Sequence, residues 1–196
     1  MKKNYFKLIS IFLVFLIVLM PCDFAWKWST HSKIVEKTYS SLPSYIKKKL
    51  NLNAMKDGSN DPDEKFQDFI NHSFPNSYFK AREWLDKANK NYTLKNYYNA
   101  SYCFGVASHY ISDSFSAPHC ANDLSYLHSR YESQAESLKP YITSNNKDLY
   151  ISLKQGDYIG EKDWSSWKKT KNRSIVQKDL NKATSATYSA IKNSLK

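Results

Sequence analysis

The chain has 196 residues, enough for one domain with a sizeable hydrophobic core. Its formal net charge of +11 suggests attraction to anionic lipid head groups, cell-wall polymers or nucleic acid, without choosing among these partners. The sequence holds three cysteines but no Cys-x-x-Cys pair, which argues against a metal site built from thiolates.

The start of the chain has the pattern of a secretory signal peptide. Lysines near the start precede an apolar run over residues 8–20, which is shorter than a comfortable membrane span. Cleavage after Ala25 would make Trp26 the new N-terminus. We predict a signal peptide over 1–25, a mature domain over 26–196, and a location that is secreted or at the extracytoplasmic cell surface. The alternative is an uncleaved membrane anchor.

Apolar residues of the mature domain recur at helical spacing, whereas strand-like alternation is rare and the chain has four glycines. The pattern predicts an all-α fold in a single compact multi-helix domain. Residues 53–63 are crowded with turn formers and are predicted to be a loop, and residues 144–170 are polar with scattered aromatics. The predicted helices and short elements, in chain order, are 34–39 with an end near Pro43, 45–50, 66–70, 77–89, 92–116, 123–141 and 174–195.

Two pairs of residues leave alternatives open. Cys103 and Cys120 could form a disulfide in an oxidising compartment or stay as two buried thiols. Trp164 and Trp167 lie near lysines and could touch a membrane interface, although packing against the final helix is the simpler expectation.

Histidines and carboxylates are concentrated between residues 109 and 132. His109 and Asp113 are four residues apart and so share one face of a helix, and His119 follows soon after a proline. His128 and Glu132 repeat the same spacing. Imidazole and carboxylate groups on one helix face can build a zinc site. Two amphipathic helices with scattered polar residues are the alternative, but two such pairs with a bracketing histidine favour a metal site.

The remaining histidines complete a longer ordered series. His31 lies five residues after Trp26, and His72 follows a Gly-Ser-Asn-Asp-Pro-Asp segment that ends at Asp63. In this order, and with the proline before His119, the residues resemble those of the zinc-dependent phospholipase C family.

The resemblance implies three zinc ions held by nine residues, with Asp113 shared between two ions. Asp63 is also the candidate catalytic residue, because its carboxylate could orient or deprotonate a water molecule. The implied ligand sets are Asp63, His72, His109 and Asp113 for one ion, the Trp26 amino and carbonyl groups with His31 and Asp113 for a second, and His119, His128 and Glu132 for the third.

The activity implied by the resemblance is that of a secreted phospholipase C. It would hydrolyse the phosphodiester of glycerophospholipids to diacylglycerol and a phosphorylated head group, as a monomer at a membrane surface. The alternative is a single-strand-specific zinc nuclease, since such enzymes resemble the same fold and share the spacing of five between Trp26 and His31. Those nucleases usually end the ligand series with Asp where this chain has Glu132, and only this alternative makes nucleic acid a partner. A non-enzymatic metal-binding protein is disfavoured because no ligand of the series is missing.

Overall fold

A computed structural model describes residues 26–143 and 148–195, so the predicted signal peptide lies outside the described residues. The predicted all-α fold is confirmed, since the described ranges contain helices and no strand. None of these helices is both long enough and apolar enough to cross a membrane. In chain order they are α1 (Trp28–Ser41), α2 (Ser44–Lys47), α3 (Leu52–Glu64), α4 (Asn76–Thr93), α5 (Tyr97–Asp113), α6 (Ala117–Cys120), α7 (Tyr126–Glu136), α8 (Leu149–Thr170) and α9 (Arg173–Ser194).

The central helix is α5, in which every residue from Cys103 to Asp113 is buried. Its sequence there includes Gly105, Ala107 and Ser108, and such small side chains let neighbouring helices pack closely. Helices α3 and α4 pack along α5, and α1 and α9 also contact it. The C-terminal end of α5 therefore carries its histidine and aspartate into the interior of the domain.

The loop predicted over residues 53–63 is wrong, because these residues form most of α3. Asn51 caps the helix by accepting a hydrogen bond from the Ala54 amide at 2.9 Å. The turn-forming glycine serves helix packing instead: a Cβ on Gly58 would lie 2.2 Å from the Tyr102 carbonyl oxygen of α5. A residue type that favours turns can therefore lie inside a helix where another backbone approaches closely.

The short element predicted around residues 66–70 is also wrong. These residues belong to the loop between α3 and α4. Helix α3 ends at Glu64, and the chain then follows a non-helical path in which Gln67 adopts a left-handed conformation with φ of 51°. The remaining predicted helices agree with observed ones, although the segment 92–116 begins as a helix only at Tyr97 and the segment 123–141 is helical over Tyr126–Glu136.

The segment 144–170, for which the sequence predicts no helix, contains α8. Its buried residues recur at intervals of three or four, as a helix face requires. Two of them are glycines, so the apolar pattern is weak in the sequence even though the face is packed. The buried residues that form this face are Leu153, Gly156, Gly160, Trp164 and Trp167.

An aromatic cluster fills the space between α7, α8 and α9. Trp164 and Trp167 stack with ring centroids 5.2 Å apart, and both are fully buried. They pack with Tyr131 of α7 and Val176 of α9, so the expected packing against the final helix is confirmed. Trp26 belongs to the same cluster, which ties the start of the described chain to its C-terminal half.

The two described cysteines are buried free thiols, so the alternative without a disulfide is the observed one. Burial raises the pKa of both thiols, and most strongly that of Cys120. Both side chains therefore act as small apolar groups of the core.

Close approach of α3 and α5 at Gly105 generates a prediction about stability. A Cβ at this position would lie 2.1 Å from the Met55 carbonyl oxygen, and a backbone atom cannot move aside alone. We expect Gly105→Ala to lower the free energy of unfolding by about 1–3 kcal/mol, measured by urea denaturation. The control is Asn99→Ala on the exposed part of α5, which should change stability by less than about 0.5 kcal/mol. Equal stability of the two variants would contradict the tight contact.

Candidate metal centre

Eight predicted ligand side chains lie together in one buried cluster. They come from α1, the end of α3, the loop that follows it, and the helices α5, α6 and α7. The most exposed of the eight is Asp63, whose side chain is 12% accessible. The eight are His31, Asp63, His72, His109, Asp113, His119, His128 and Glu132.

Two carboxylates and two imidazoles form the centre of the cluster. Asp63 Oδ1 lies 3.5 Å from Nε2 of both His72 and His109. Asp113 Oδ2 lies 2.6 Å from His72 Nδ1 and 3.2 Å from His109 Nε2. Each carboxylate thus faces both histidines, as the first implied ligand set requires.

The second oxygen of Asp113 faces a different histidine. Asp113 Oδ1 lies 3.5 Å from His31 Nε2, and the ring of His31 stacks on that of His109 at 4.2 Å between centroids. A carboxylate whose two oxygens point at separate groups of imidazoles has the arrangement of a bridging ligand. The predicted shared role of Asp113 is therefore geometrically possible.

The third group continues from the first. His128 and Glu132 lie one turn apart on α7, with His128 Nε2 at 2.8 Å from Glu132 Oε1. His119 Nε2 lies 3.8 Å from the same carboxylate oxygen. The ring of His119 also stacks on that of His72 at 5.5 Å between centroids. The predicted ligands therefore form one continuous cluster.

Trp26 lies beside this cluster. Its indole N–H donates a hydrogen bond of 3.1 Å to the Ser112 carbonyl oxygen, one residue before Asp113. Its side chain is fully buried, and its ring lies 5.6 Å from that of Tyr131. The side chain thus fixes residue 26 next to the end of α5, where the resemblance requires a ligand from the amino terminus.

Hydrogen bonds outside the cluster orient the imidazoles. His109 Nδ1 donates to the Ser59 carbonyl oxygen at 2.8 Å, and His128 Nδ1 donates to the Asp123 carbonyl oxygen at 2.8 Å. A ring that donates its Nδ1–H presents the lone pair of Nε2 to the interior, which is how metal-ligating histidines are usually held.

The cluster fits divalent cations. Inside the described protein, buried atoms of five ligand residues have no hydrogen-bond partner, and leaving such atoms unpaired is costly unless an ion binds them. Nitrogen and carboxylate oxygen are the donors that zinc accepts. Within each of three sets the ligand atoms lie within 4.8 Å of one another, and two of these sets combine residues that the resemblance assigns to different ions. The sets are His31 with Asp63 and His109, His72 with Asp113 and His119, and His119 with His128 and Glu132. The unpaired atoms are His31 Nε2, Asp63 Oδ1, His109 Nε2, Asp113 Oδ1 and His119 Nε2.

The imidazoles fall into two electrostatic classes. Burial, followed by the charges of neighbouring histidines, lowers the pKa of His31 and His119 well below the usual value. Both rings are therefore neutral at pH 7, which is the form that binds a metal. Burial also lowers the pKa of His72 and His128, but the carboxylates of Asp113 and Glu132 outweigh it and raise the pKa of His72 to about 9 and that of His128 above its usual value. A metal ion and a proton compete for rings of this second class.

Sequence reasoning missed two aspartates that support the cluster. The Asp68 carbonyl oxygen accepts a hydrogen bond from His72 Nε2, while its carboxylate accepts one from the Tyr110 hydroxyl at 2.8 Å. Asp123 does the same for His128, and its carboxylate accepts a 2.8 Å hydrogen bond from the Trp164 indole. Any residue type can supply a carbonyl acceptor, so the only signal in the sequence was an aspartate four or five residues before each histidine.

Comparisons with known proteins identify the family and the fold. The family model described as "Zinc dependent phospholipase C" matches residues 30–196. Among solved structures, the alpha toxin from Clostridium absonum is similar, with a TM-score of 0.61 and 18% sequence identity. The similarity covers 85% of this chain and 62% of the toxin chain, and at this identity it concerns the fold. No curated protein sequence matches the chain. Since the family model spans nearly the whole described sequence, the chain belongs to the zinc-dependent phospholipase C family.

Proposed function

We propose that the protein is a secreted, monomeric, zinc-dependent phospholipase C acting at a membrane surface. It hydrolyses the phosphodiester of glycerophospholipids to diacylglycerol and a phosphorylated head group. The observation that supports this proposal is the buried cluster of eight ligand side chains, in a chain that belongs to this family.

We assign the ligands to three zinc ions as the family resemblance implies. Asp113 is assigned to two ions because its two oxygens face different histidines. The proposed sets are Asp63, His72, His109 and Asp113 for one zinc, the Trp26 amino and carbonyl groups with His31 and Asp113 for a second, and His119, His128 and Glu132 for a third.

Zinc bound by these residues would supply positive charge for the phosphodiester and would lower the pKa of a bound water towards about 7. Asp63 is the candidate catalytic residue: its Oδ1 is buried without a hydrogen-bond partner, yet its side chain is the most exposed of the eight. We assign it the role of orienting the attacking water and accepting its proton. The oxygen of that water bonds to phosphorus, the bond from phosphorus to the glycerol oxygen breaks, and the departing glycerol oxygen takes up the proton from Asp63 to give diacylglycerol. The backbone carbonyl groups of Ser59 and Asp123 hold the rings of His109 and His128 in place during this reaction.

The first prediction concerns the substrate. The purified protein should release phosphocholine and diacylglycerol from phosphatidylcholine, lose this activity with a chelator, and regain it when zinc is added back, as measured by product analysis. Parallel assays on single-stranded DNA test the nuclease alternative. Cleavage of DNA without hydrolysis of lipid would overturn the proposed function.

The second prediction concerns Asp113. Because its carboxylate lies between two groups of imidazoles, Asp113→Ala should abolish activity and remove more than one zinc ion per chain, measured by elemental analysis. The matched control is Glu132→Ala, which removes the carboxylate of a single proposed site and should cost one ion. Retention of all zinc in the Asp113 variant would contradict the bridging role.

The third prediction concerns the amino terminus. We propose that residues 1–25 form a signal peptide and that cleavage after Ala25 creates the free amino group of Trp26. The secreted protein should then begin at Trp26, as read by N-terminal sequencing. An uncleavable extension before Trp26 should lower the zinc content by one ion and abolish activity, whereas full zinc and full activity in that variant would refute the activating role of cleavage.

A further inference from the structure

The most exposed large apolar side chains of the described residues all lie beside the metal centre. Ile70 is 82% exposed, Tyr126 is 80% exposed and Leu124 is 76% exposed, and no other large apolar side chain in the described ranges exceeds 68%. Ile70 is in the loop between α3 and α4, two residues before His72. Leu124 lies in the loop between α6 and α7, and Tyr126 is the first residue of α7; both precede His128. We call these three side chains the apolar rim.

The two loops that carry the apolar rim are neighbours in space. The rings of His72 and His119 stack at 5.5 Å between centroids. Ser73 Oγ donates a hydrogen bond of 2.9 Å to the His119 carbonyl oxygen, which joins the first loop to α6. The second loop leads directly out of α6. The apolar rim therefore flanks one part of the cluster from two sides.

Both loops are held in defined conformations. The Asp68 carboxylate accepts hydrogen bonds from the Asn71 amide at 2.7 Å and the Tyr110 hydroxyl at 2.8 Å. The Asp123 carboxylate accepts hydrogen bonds from the Ser125 amide and the Trp164 indole, both at 2.8 Å. Each aspartate fixes a ligand histidine through its carbonyl group and stands one or two residues before a side chain of the apolar rim. The hydrogen-bonded conformation of both loops therefore keeps these side chains exposed.

Lysines paired with aspartates lie at the base of the same loops. Lys80 Nζ lies 4.0 Å from the Asp68 carboxylate, and Lys168 Nζ lies 3.3 Å from the Asp123 carboxylate. Lys65, at the start of the first loop, has a side chain that is 64% accessible, and its Nζ lies 3.1 Å from the Asp61 carboxylate. Each of these lysines is paired with a carboxylate, so the attraction to anionic phosphates comes from the net charge of the chain, which is +11 for the full sequence. The apolar tips match the acyl chains that lie beneath those phosphates. A tyrosine among the tips suits the interface, since its ring is apolar and its hydroxyl is polar.

We infer that the apolar rim docks the protein on a phospholipid bilayer, with Ile70, Leu124 and Tyr126 inserted at the level of the head groups. This inference rests on the proposed function for the identity of the surface, because the bilayer contains the proposed substrate. It assigns the recognition of the membrane to the loop that contains His72 and to the segment around the start of α7, whose Asp123 carbonyl group orients His128. The same two segments would then dock the protein and position its ligands.

The test measures binding to vesicles that cannot be hydrolysed. The vesicles contain anionic phosphatidylglycerol and phosphatidylcholine, both as phosphonate analogues in which carbon replaces the scissile oxygen. The zinc-loaded double variant Ile70→Ser with Leu124→Ser should bind these vesicles about a hundredfold more weakly than the unchanged protein, because burial of each side chain contributes about a tenfold gain or more. Its turnover of a monomeric short-chain phosphatidylcholine should stay within twofold of the unchanged protein.

The matched control is Leu94→Ser with Tyr98→Ser. These side chains are 68% and 59% exposed and lie where α4 ends and α5 begins. Helix α4 has 18 residues, so this end lies about 27 Å from the first loop. The control pair should bind vesicles as the unchanged protein does.

Equal vesicle binding by the rim variant and the unchanged protein would overturn the inference, as would equal weakening by the control pair. A change of oligomeric state in the rim variant, seen by sedimentation, would assign the apolar rim to a second copy of the chain instead. If the double variant Ile70→Ser with Leu124→Ser loses zinc, Tyr126→Ser alone provides the same comparison, with an expected tenfold loss of vesicle binding. Lack of turnover on the monomeric lipid by the unchanged protein would reject the proposed function. Vesicle binding is a separate measurement, which tests only the docking by the apolar rim.

Discussion

The structure depends on the compensation of one buried negative charge. Asp113 is fully buried and lies at the C-terminal end of α5, where the helix dipole is itself negative and disfavours a carboxylate. Burying an ionised carboxylate without a partner is very costly. Three histidines surround Asp113, and one of them has a pKa of about 9, so a proton on His72 can compensate the charge until metal ions do so. The remaining ligands are arranged around this carboxylate.

Helix packing determines whether these groups can meet. Asp63 lies in the last turn of α3, and the glycines at 58 and 105 let α3 approach α5 until backbone atoms touch. A wider separation of the two helices would move Asp63 away from His109. The second carboxylate of the cluster therefore depends on two residues that carry no chemistry of their own. The position of residue 26 likewise depends on the aromatic cluster, because the cluster holds the Trp26 indole that anchors this residue to the end of α5.

Much of the candidate site was predictable from the sequence because several of its ligands lie only four residues apart. The pairs at 109 and 113 and at 128 and 132 each cover one helical turn, and helical geometry alone brings them together. The helices α3 and α8 were missed because their packed faces use glycine, which a hydrophobic pattern does not register. The carbonyl groups of Asp68 and Asp123 were missed because every residue type has a backbone carbonyl, so the sequence does not mark the ones that accept from a histidine. The exposure of Ile70 and Leu124 was equally hidden, since an apolar residue in a sequence predicts burial.

The spread of the ligands along the chain has a mechanical consequence. The proposed ligands of the three zinc sites come from the start of the described chain, α1, the end of α3, α5, α6 and α7, and the only two cysteines in the described ranges are unpaired. In many extracellular proteins disulfides fasten distant segments to each other. Here bound ions would act as the cross-links, because their coordination bonds would join segments that are otherwise held only by packing and hydrogen bonds. Resistance to unfolding would then rise and fall with the concentration of free zinc, and a chelator would loosen this domain as a reducing agent loosens a disulfide-bonded one.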